Sequence, residues 1–240
     1  MNRFVPRVVC LAVLAALLST HVFPATAQDL TPVASESCDP AASTALYNPK
    51  GSDEAACSLR TYERPVADTL LLRQDKFDVV EVEAWDRNQI EVQTIVVARR
   101  ASSREAIADL SRMALKEVDG VLEAVGPDGD GWWSVAYRIR VPERTTLAIT
   151  SESAGISVRG VVGGRVVTST HGTITFHLPA GAGINLQAKT VHGDIRVGFP
   201  VMVEGSISNQ LETRVGEGGP TVRLSTKSGD VRVDHTEVDR

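Results

Sequence analysis

The sequence predicts an all-β fold, a β-solenoid of stacked strands with one short amphipathic helix inserted in the N-terminal half. The first observation is a short phrase that occurs four times, around Gly155, Gly172, Gly193 and Gly229. These glycines lie 17, 21 and 36 residues apart, and self-similarity at roughly 20 residues is typical of solenoids. The second observation is composition, because aromatic residues make up only 5% of a chain with 19 glycines. Narrow β-structure needs fewer large side chains than a helical core does, so the composition and the repeats both indicate a β-solenoid.

Each copy of the phrase predicts a turn followed by a strand. Glycine adopts positive φ angles at no steric cost, which suits a corner between strands. After the last three glycines the chain alternates, with these apolar residues predicted to point inward: Ile174 and Phe176, Ile195 and Val197, Val231 and Val233. We therefore expect Gly172, Gly193 and Gly229 at equivalent corners of successive or alternate turns of the solenoid. Ile156 follows Gly155 directly, one residue early, so that strand is expected to be bulged or slightly re-registered.

The half of the chain before the repeats contains strand patterns and one helix signal. Ser102 and Glu105 form a capping box, so a helix is predicted to run to about Arg112. Its expected apolar face comprises Ala106, Ile107, Leu110 and Met113. Asp119-Gly120 predicts a hairpin turn, and the run from Trp132 to Val141 predicts a strand.

The N-terminus predicts export. Residues 1–27 have the features of a signal peptide, with two arginines before an apolar run from Val8 to Leu18 and a cleavage site at Ala25-Thr26-Ala27. The apolar run has about 11 residues, too few for a helix that spans a bilayer. The mature chain is expected to comprise a poorly ordered segment, 28–65, and a β-solenoid domain, 66–240.

Export also predicts a disulfide. Two cysteines remain after cleavage, Cys38 and Cys57, and in an oxidising compartment such a pair is expected to be bonded. Closing a loop of this length would stabilise the fold by about 3 kcal/mol in the chain-entropy model.

Three stretches in the C-terminal half combine turn and strand motifs. They are Tyr137–Pro142 with Leu147, Ile149 and Ser151; Lys189–Arg196 with Phe199-Pro200; and Gly216–Pro220 with Ser225–Val231. These stretches resemble the bacterial putative-adhesin β-strand-repeat family, a domain of unknown function, over roughly Leu70 to Val233. The resemblance implies a right-handed parallel β-solenoid. The family has no established catalytic residues, so the resemblance implies none here.

Few residues suggest chemistry, and each has a structural alternative. His171 and His192 precede glycines in neighbouring copies, so stacking could make them a metal or pH-sensitive pair, or they are only turn residues. Trp85 and Trp132-Trp133 suggest a platform for sugar stacking, or packing in the core. Adjacent strand residues point to opposite faces, so one of Trp132 and Trp133 is expected in the core and the other exposed or under the helix.

We assign no catalytic, cofactor-binding or metal-binding residue from the sequence. Asp128 and Asp130 lie in a glycine-rich loop, but the closing position of an EF-hand counted from Asp128 would be Ile139, which cannot bind Ca²⁺ through its side chain. No Ser or Cys nucleophile motif and no phosphate-binding loop is recognisable.

The sequence therefore predicts an exported, non-enzymatic, adhesin-like cell-envelope protein, periplasmic or secreted, that serves as a binding or structural scaffold. The net charge of −5 argues against nucleic acid or an anionic membrane as partner. The expected partner is an envelope or surface protein, a glycan or another copy of the chain, bound beside the helix near Trp85 and Trp132-Trp133. The alternative is a solenoid enzyme acting on polysaccharides, which would need carboxylates converging on one face.

Overall fold

The computed structural model describes residues 27–38, 54–74, 79–128, 132–200 and 209–235. The predicted signal peptide up to residue 26 and Asp130 lie outside these ranges. In the described ranges, no helix has the length and apolarity that a bilayer crossing requires.

The described chain is mainly β, with one short helix. The elements are β1 (Gln28–Asp29), β2 (Ala34–Ser37), β3 (Glu54–Pro65), β4 (Thr69–Gln74), β5 (Val79–Trp85), β6 (Gln89–Arg100), α1 (Ser103–Arg112), β7 (Ala114–Val118), β8 (Val121–Val125), β9 (Trp132–Pro142), β10 (Thr146–Ser151), β11 (Gly155–Arg159), β12 (Arg165–His171), β13 (Ile174–Leu178), β14 (Ile184–His192), β15 (Ile195–Val197), β16 (Gln210–Val215), β17 (Thr221–Ser228) and β18 (Val231–His235).

The strands form two sheets of nine strands each, and the pairing is largely parallel in the repeat region. The order in the first sheet is β1-β7-β8-β4-β10-β12-β17-β14-β16. The order in the second sheet is β15-β18-β13-β11-β5-β9-β6-β3-β2. Alternate side chains of both sheets meet in one continuous apolar core, to which Leu147 and Val167 contribute from the first sheet and Val158 and Phe176 from the second.

Among the described strands, five consecutive pairs connect the sheets, and we call each such pair a rung. Each rung places its first strand in the first sheet and its second strand in the second sheet: β4–β5, β10–β11, β12–β13, β14–β15 and β17–β18. Neighbouring rungs pair in parallel in both sheets.

The order of the rungs in space differs from their order along the chain. The C-terminal rung, β17–β18, lies between β12–β13 and β14–β15. Strand β16 pairs antiparallel with β14 on its outer side, so the chain returns inward before it forms its last rung. The four copies of the phrase have the same alternation, and for this reason the repeat pattern does not determine the order of the rungs.

The glycines of the last three copies occupy equivalent corners, as predicted. Gly172 donates its N–H to Ser228 O, and Gly229 donates its N–H to His192 O, both at 2.9 Å. A Cβ on Gly172 would overlap the carbonyl oxygen of Ala154, and one on Gly229 would overlap that of Gly172. Their φ angles are 150° and 146°, so both backbone conformation and close stacking require glycine here.

In the first copy, Ala154 takes the corner position and Gly155 begins the strand. The pairing of Ile156 with Ile174 fixes this alignment. Strand β11 pairs with β5 continuously from Gly155 to Arg159, so this copy has no bulge and is shifted by one residue, the second of the two outcomes predicted for it.

The inward-pointing residues predicted for the repeats face the core. Ile174 and Val231 are completely buried. Ile195 packs against the core but is only half-buried, because β15 is the edge strand of the second sheet and has a neighbour on one side only.

The prediction that 28–65 is poorly ordered is wrong for the residues of β3, Glu54–Pro65. These 12 residues pair antiparallel with β6 along their whole length, and Tyr62 is buried in the core. Near Cys57 the strand is covered by α1 on one side and by the core on the other. A strand covered on both faces loses the polar alternation by which it would be recognised.

Helix α1 has the predicted capping box. The Ser102 hydroxyl accepts a hydrogen bond from Glu105 N at 3.4 Å and donates one to the Glu105 carboxylate at 3.1 Å. The buried residues are Ala106, Asp109 and Leu110, whereas Ile107, predicted to be buried, is 60% exposed. At the other end, Arg60 donates to the carbonyl oxygens of Leu110 and of the C-cap residue Met113, which ties the end of the helix to β3.

One charged side chain lies inside the core. Arg165, at the start of β12, is only 2% exposed, and its guanidinium carbon lies 4.5 Å from the centroid of the Phe176 ring. None of its three side-chain nitrogens has a hydrogen-bond acceptor among the described residues. Burial disfavours the charged form and lowers the pKa of Arg165 to about 10.

Candidate functional site: a cleft beside the helix

A cleft of about 500 Å³ lies between α1 and the adjoining ends of β6 and β9. Its lining comprises Arg99, Arg100, Ala101, Glu105, Ala108, Asp109, Arg112 and Trp132. Three arginines and two carboxylates leave one net positive charge in the lining. This is notable on a chain with a net charge of −5.

Strand pairing brings the aromatic ring of the cleft, that of Trp132, next to one of its arginines, Arg99. Arg99 of β6 is the cross-strand partner of Trp132 of β9. Its guanidinium carbon lies 5.7 Å from the centroid of the Trp132 ring, within the range of a cation–π interaction. The Arg99 Nε is buried and has no hydrogen-bond partner in the described part of the chain.

The other two arginines are positioned by a carboxylate on the buried face of the helix. Asp109 is 2% exposed and forms ion pairs with Arg100 Nε and with a terminal nitrogen of Arg112. The hydrogen bond from Arg100 is the largest influence, and together with Arg112 it lowers the pKa of the Asp109 carboxyl in spite of burial. Asp109 therefore remains ionised and holds two guanidinium groups at the wall of the cleft.

The structure separates the tryptophans that we expected to find together. Trp132 lines the cleft, and Trp133 packs against the core, its ring lying beside Gly126. This confirms the prediction that the two side chains face opposite ways. Trp85 pairs with Pro142 at the opposite end of β9, so the expectation of one site near all three is wrong.

Trp85 has its own set of contacts. Its indole N–H donates to Gln89 O at 2.8 Å. The guanidinium carbons of Arg87 and Arg140 lie 5.0 Å and 5.9 Å from its ring centroid. These contacts hold Trp85 over the turn between β5 and β6.

The structure does not bring His171 and His192 into contact. Each pairs with Ser228, from opposite sides of β17, so the two histidines are two strands apart. Two strand spacings amount to about 10 Å, too far to share a metal ion. Both side chains are exposed, which agrees with the interpretation as turn residues.

Where the chain is described, carboxylates form no metal site, and Asp194 and Asp230, which approach each other outside the cleft, both lie within ion-pair distance of Arg196. No group of three metal-ligating side chains occurs within the described ranges. Glu123 is ion-paired with Arg73 at 3.3 Å, and Asp128 is exposed. In the cleft, Asp109 is engaged by two arginines and Glu105 by the helix cap.

A second groove, of about 600 Å³, lies on the other side of α1 against β2 and β3. It includes the predicted disulfide, which joins Cys38 and Cys57 with a Cα–Cα distance of 5.2 Å. Ile107 of the helix is exposed at its edge.

Sequence reasoning located the helix and Trp132 but missed the charged residues of the cleft. Asp109 occupies the apolar face of α1 between Ala106 and Leu110, and a carboxylate there calls for a basic partner. Arg112 stands three residues later, at the spacing of a helical ion pair. That combination was the signal available in the sequence.

No protein-family model and no curated protein matches the chain. Among solved structures, the chain is similar to a putative cell adhesion protein from Clostridium sporogenes, with 10% identity and a TM-score of 0.44, over 74% of this chain and 100% of that one. It is also similar to a putative adhesin from Parabacteroides distasonis, with 12% identity and a TM-score of 0.32, over 74% of this chain and 73% of that one. A putative adhesin from Bacteroides fragilis gives 11% identity and a TM-score of 0.28, over 74% and 97%.

Proposed function

We propose that the protein is a non-enzymatic scaffold of the bacterial cell envelope, a parallel β-solenoid that binds a partner in the cleft beside α1. The observation that carries the proposal is the cleft itself, where Asp109 holds the guanidinium groups of Arg100 and Arg112 and a third, that of Arg99, lies against the Trp132 ring. Trp and Arg are the residue types most enriched where binding energy is concentrated. A positive site on an acidic chain favours a partner that carries negative charge.

Two features of the molecule support an extracytoplasmic location. Cys38 and Cys57 are bonded, and disulfides persist mainly in oxidising compartments. The first 27 residues have the pattern of a signal peptide. We therefore propose a periplasmic or secreted protein, with an envelope glycan, a surface protein or another copy of the chain as partner.

The chemistry of the cleft favours binding over catalysis. A glycosidase needs one carboxylic acid to donate a proton and a second carboxylate as base or nucleophile. Both carboxylates of this cleft already have hydrogen-bonded partners, and the low pKa of Asp109 makes it a poor proton donor near neutral pH.

The test is retention of the purified mature protein on cell-envelope material, with product analysis to detect turnover. We expect binding without products, and weaker binding when Arg112 is replaced by Gln. The matched control is Arg138→Gln, because Arg138 is also an ion-paired arginine and has nearly the same side-chain exposure, 55% against 59%. Turnover of a polysaccharide, or retention that Arg112→Gln does not weaken, would contradict the proposal.

A further inference from the structure

We propose that the cleft beside α1 binds a sugar that carries a carboxylate, such as a uronic acid residue of an acidic polysaccharide. The inference rests on the binding function proposed above and names the ligand class of the same site. It follows from the charge of the lining, from the geometry of its donors and from its apolar surface.

The charge of the lining matches one isolated anionic group. Asp109 and Glu105 balance two of the three arginines and leave one positive charge. A densely charged polymer such as nucleic acid requires many cationic contacts, and the remainder of this chain is acidic. A sugar ring with a single carboxylate carries one negative charge, which the one net positive charge of the cleft is sufficient to balance.

The donors of the cleft suit a planar carboxylate. Arg112 uses a terminal nitrogen for Asp109 and is 59% exposed, so its other N–H groups are accessible from the cleft. Arg99 is held at the Trp132 ring in the same lining. Guanidinium groups bind carboxylates through paired N–H donors, and prior immobilisation reduces the entropy lost on binding.

The apolar part of the lining suits a ring better than a peptide side chain. Ala101 and Ala108 have small side chains, and they lie in the same cleft as the indole of Trp132. The C–H face of a pyranose ring packs on such surfaces, while its carboxylate reaches the arginines. An acidic peptide presents its carboxylates on flexible stems and has no rigid apolar face to fill this space.

The experiment measures binding of galacturonate oligomers to the processed chain by calorimetry. The comparison ligand is the same oligomer with its carboxyl groups reduced to alcohols, which keeps ring and linkage and removes the charge. We expect the reduced oligomer to bind at least about tenfold more weakly, because hydrogen bonds to a charged group are lost.

Variants locate the interaction, each with a matched control elsewhere on the surface. Arg112→Gln and Trp132→Leu are each expected to weaken binding at least about tenfold, the loss typical of one charge-assisted or stacking contact. Arg138→Gln and Trp85→Leu remove the same residue types from other positions and are expected to change affinity less than about twofold. Circular dichroism and the unfolding midpoint confirm that each variant is folded.

The outcomes separate this inference from the proposed function. Equal affinity for the reduced oligomer, or tighter binding of oligoglutamate, overturns the sugar carboxylate. If no galacturonate oligomer binds but envelope retention still depends on Arg112, the ligand class is wrong and the binding function stands. If neither the oligomers nor the envelope material is retained, both are wrong.

Discussion

Arg165 offers a quantitative test of the core, because the substitution Arg165→Met keeps most of the aliphatic stem and removes the charge. Burial lowers the pKa of Arg165 from the ordinary value of arginine to about 10. Since one pKa unit corresponds to about 1.4 kcal/mol, the buried charge costs roughly 3 to 4 kcal/mol at neutral pH. The Phe176 ring returns up to about 2 kcal/mol through the cation–π contact, and a small cavity left by methionine costs about 1 kcal/mol. The expected net result is a gain of about 0.5 kcal/mol in the free energy of unfolding.

The pH dependence has a definite sign. The folded-state pKa is below the unfolded-state value, so the folded chain binds fewer protons than the unfolded chain between about pH 10 and the ordinary pKa of arginine. The contribution of Arg165 to stability is therefore unfavourable and constant below about pH 10, and it becomes less unfavourable only above that pH. The gain from Arg165→Met should be the same at pH 6 and pH 8.

Urea unfolding followed by tryptophan fluorescence, with the disulfide intact, measures the effect. With a slope of about 2 kcal/mol per molar urea, the midpoint should rise by about 0.25 M at unchanged slope. The exposed neighbour Arg159 supplies the control, since Arg159→Met should change the free energy of unfolding by less than about 0.5 kcal/mol. A loss of 1 kcal/mol or more on Arg165→Met would show that the guanidinium has a favourable partner and would refute the reasoning.

Three further substitutions test the corners, the cleft and the register. Gly172→Ala should lower the free energy of unfolding by more than about 1 kcal/mol in the same urea assay, because the added Cβ would overlap the carbonyl oxygen of Ala154. The control Gly155→Ala should be tolerated, since no atom lies within 4 Å of that Cβ position. Asp109→Asn should cost about 2 to 4 kcal/mol at pH 7, because two arginines lose their partner. The loss should shrink as the pH falls through the lowered pKa of Asp109, where the wild-type carboxylate becomes protonated. Ile174→Asp should abolish cooperative unfolding, whereas Thr175→Asp, on the outer side of the same strand, should not.

The results that would contradict these three predictions are equally specific. Equal losses from the two glycine substitutions would refute the close approach at the corner. An unchanged stability of Asp109→Asn would show that the ion pairs are worth nothing in solution. A folded Ile174→Asp protein would refute the register of β13.

The sequence was sufficient to predict strands wherever one face is buried and the other exposed. The strands after Gly172 and Gly229 were placed correctly because alternation and the turn glycine are local signals. The capping box at Ser102 was likewise a local signal, and the structure has the helix where it was predicted.

The features that sequence reasoning missed depend on long-range pairing. The separation of His171 and His192 follows from the insertion of β17 between their strands, and no pattern within either copy encodes that. The cleft unites β6, α1 and β9, and its arginines look in the sequence like ordinary solvated charges. Whether such an arginine lines a site or is simply solvated depends on tertiary contacts, which the local sequence does not specify.

The inserted position of the last rung bears on how the chain completes itself as it emerges N-terminus first. Until β17 and β18 arrive, β12 and β13 lack their outer neighbours, and β14 and β15 have no parallel partner to join. An incomplete chain would thus expose four strand edges in the interior of the future structure, and unpaired edges invite proteases and aggregation. A chain that loses residues 221–235, which form this rung, is therefore open between two rungs that are already formed and not merely shorter by one rung.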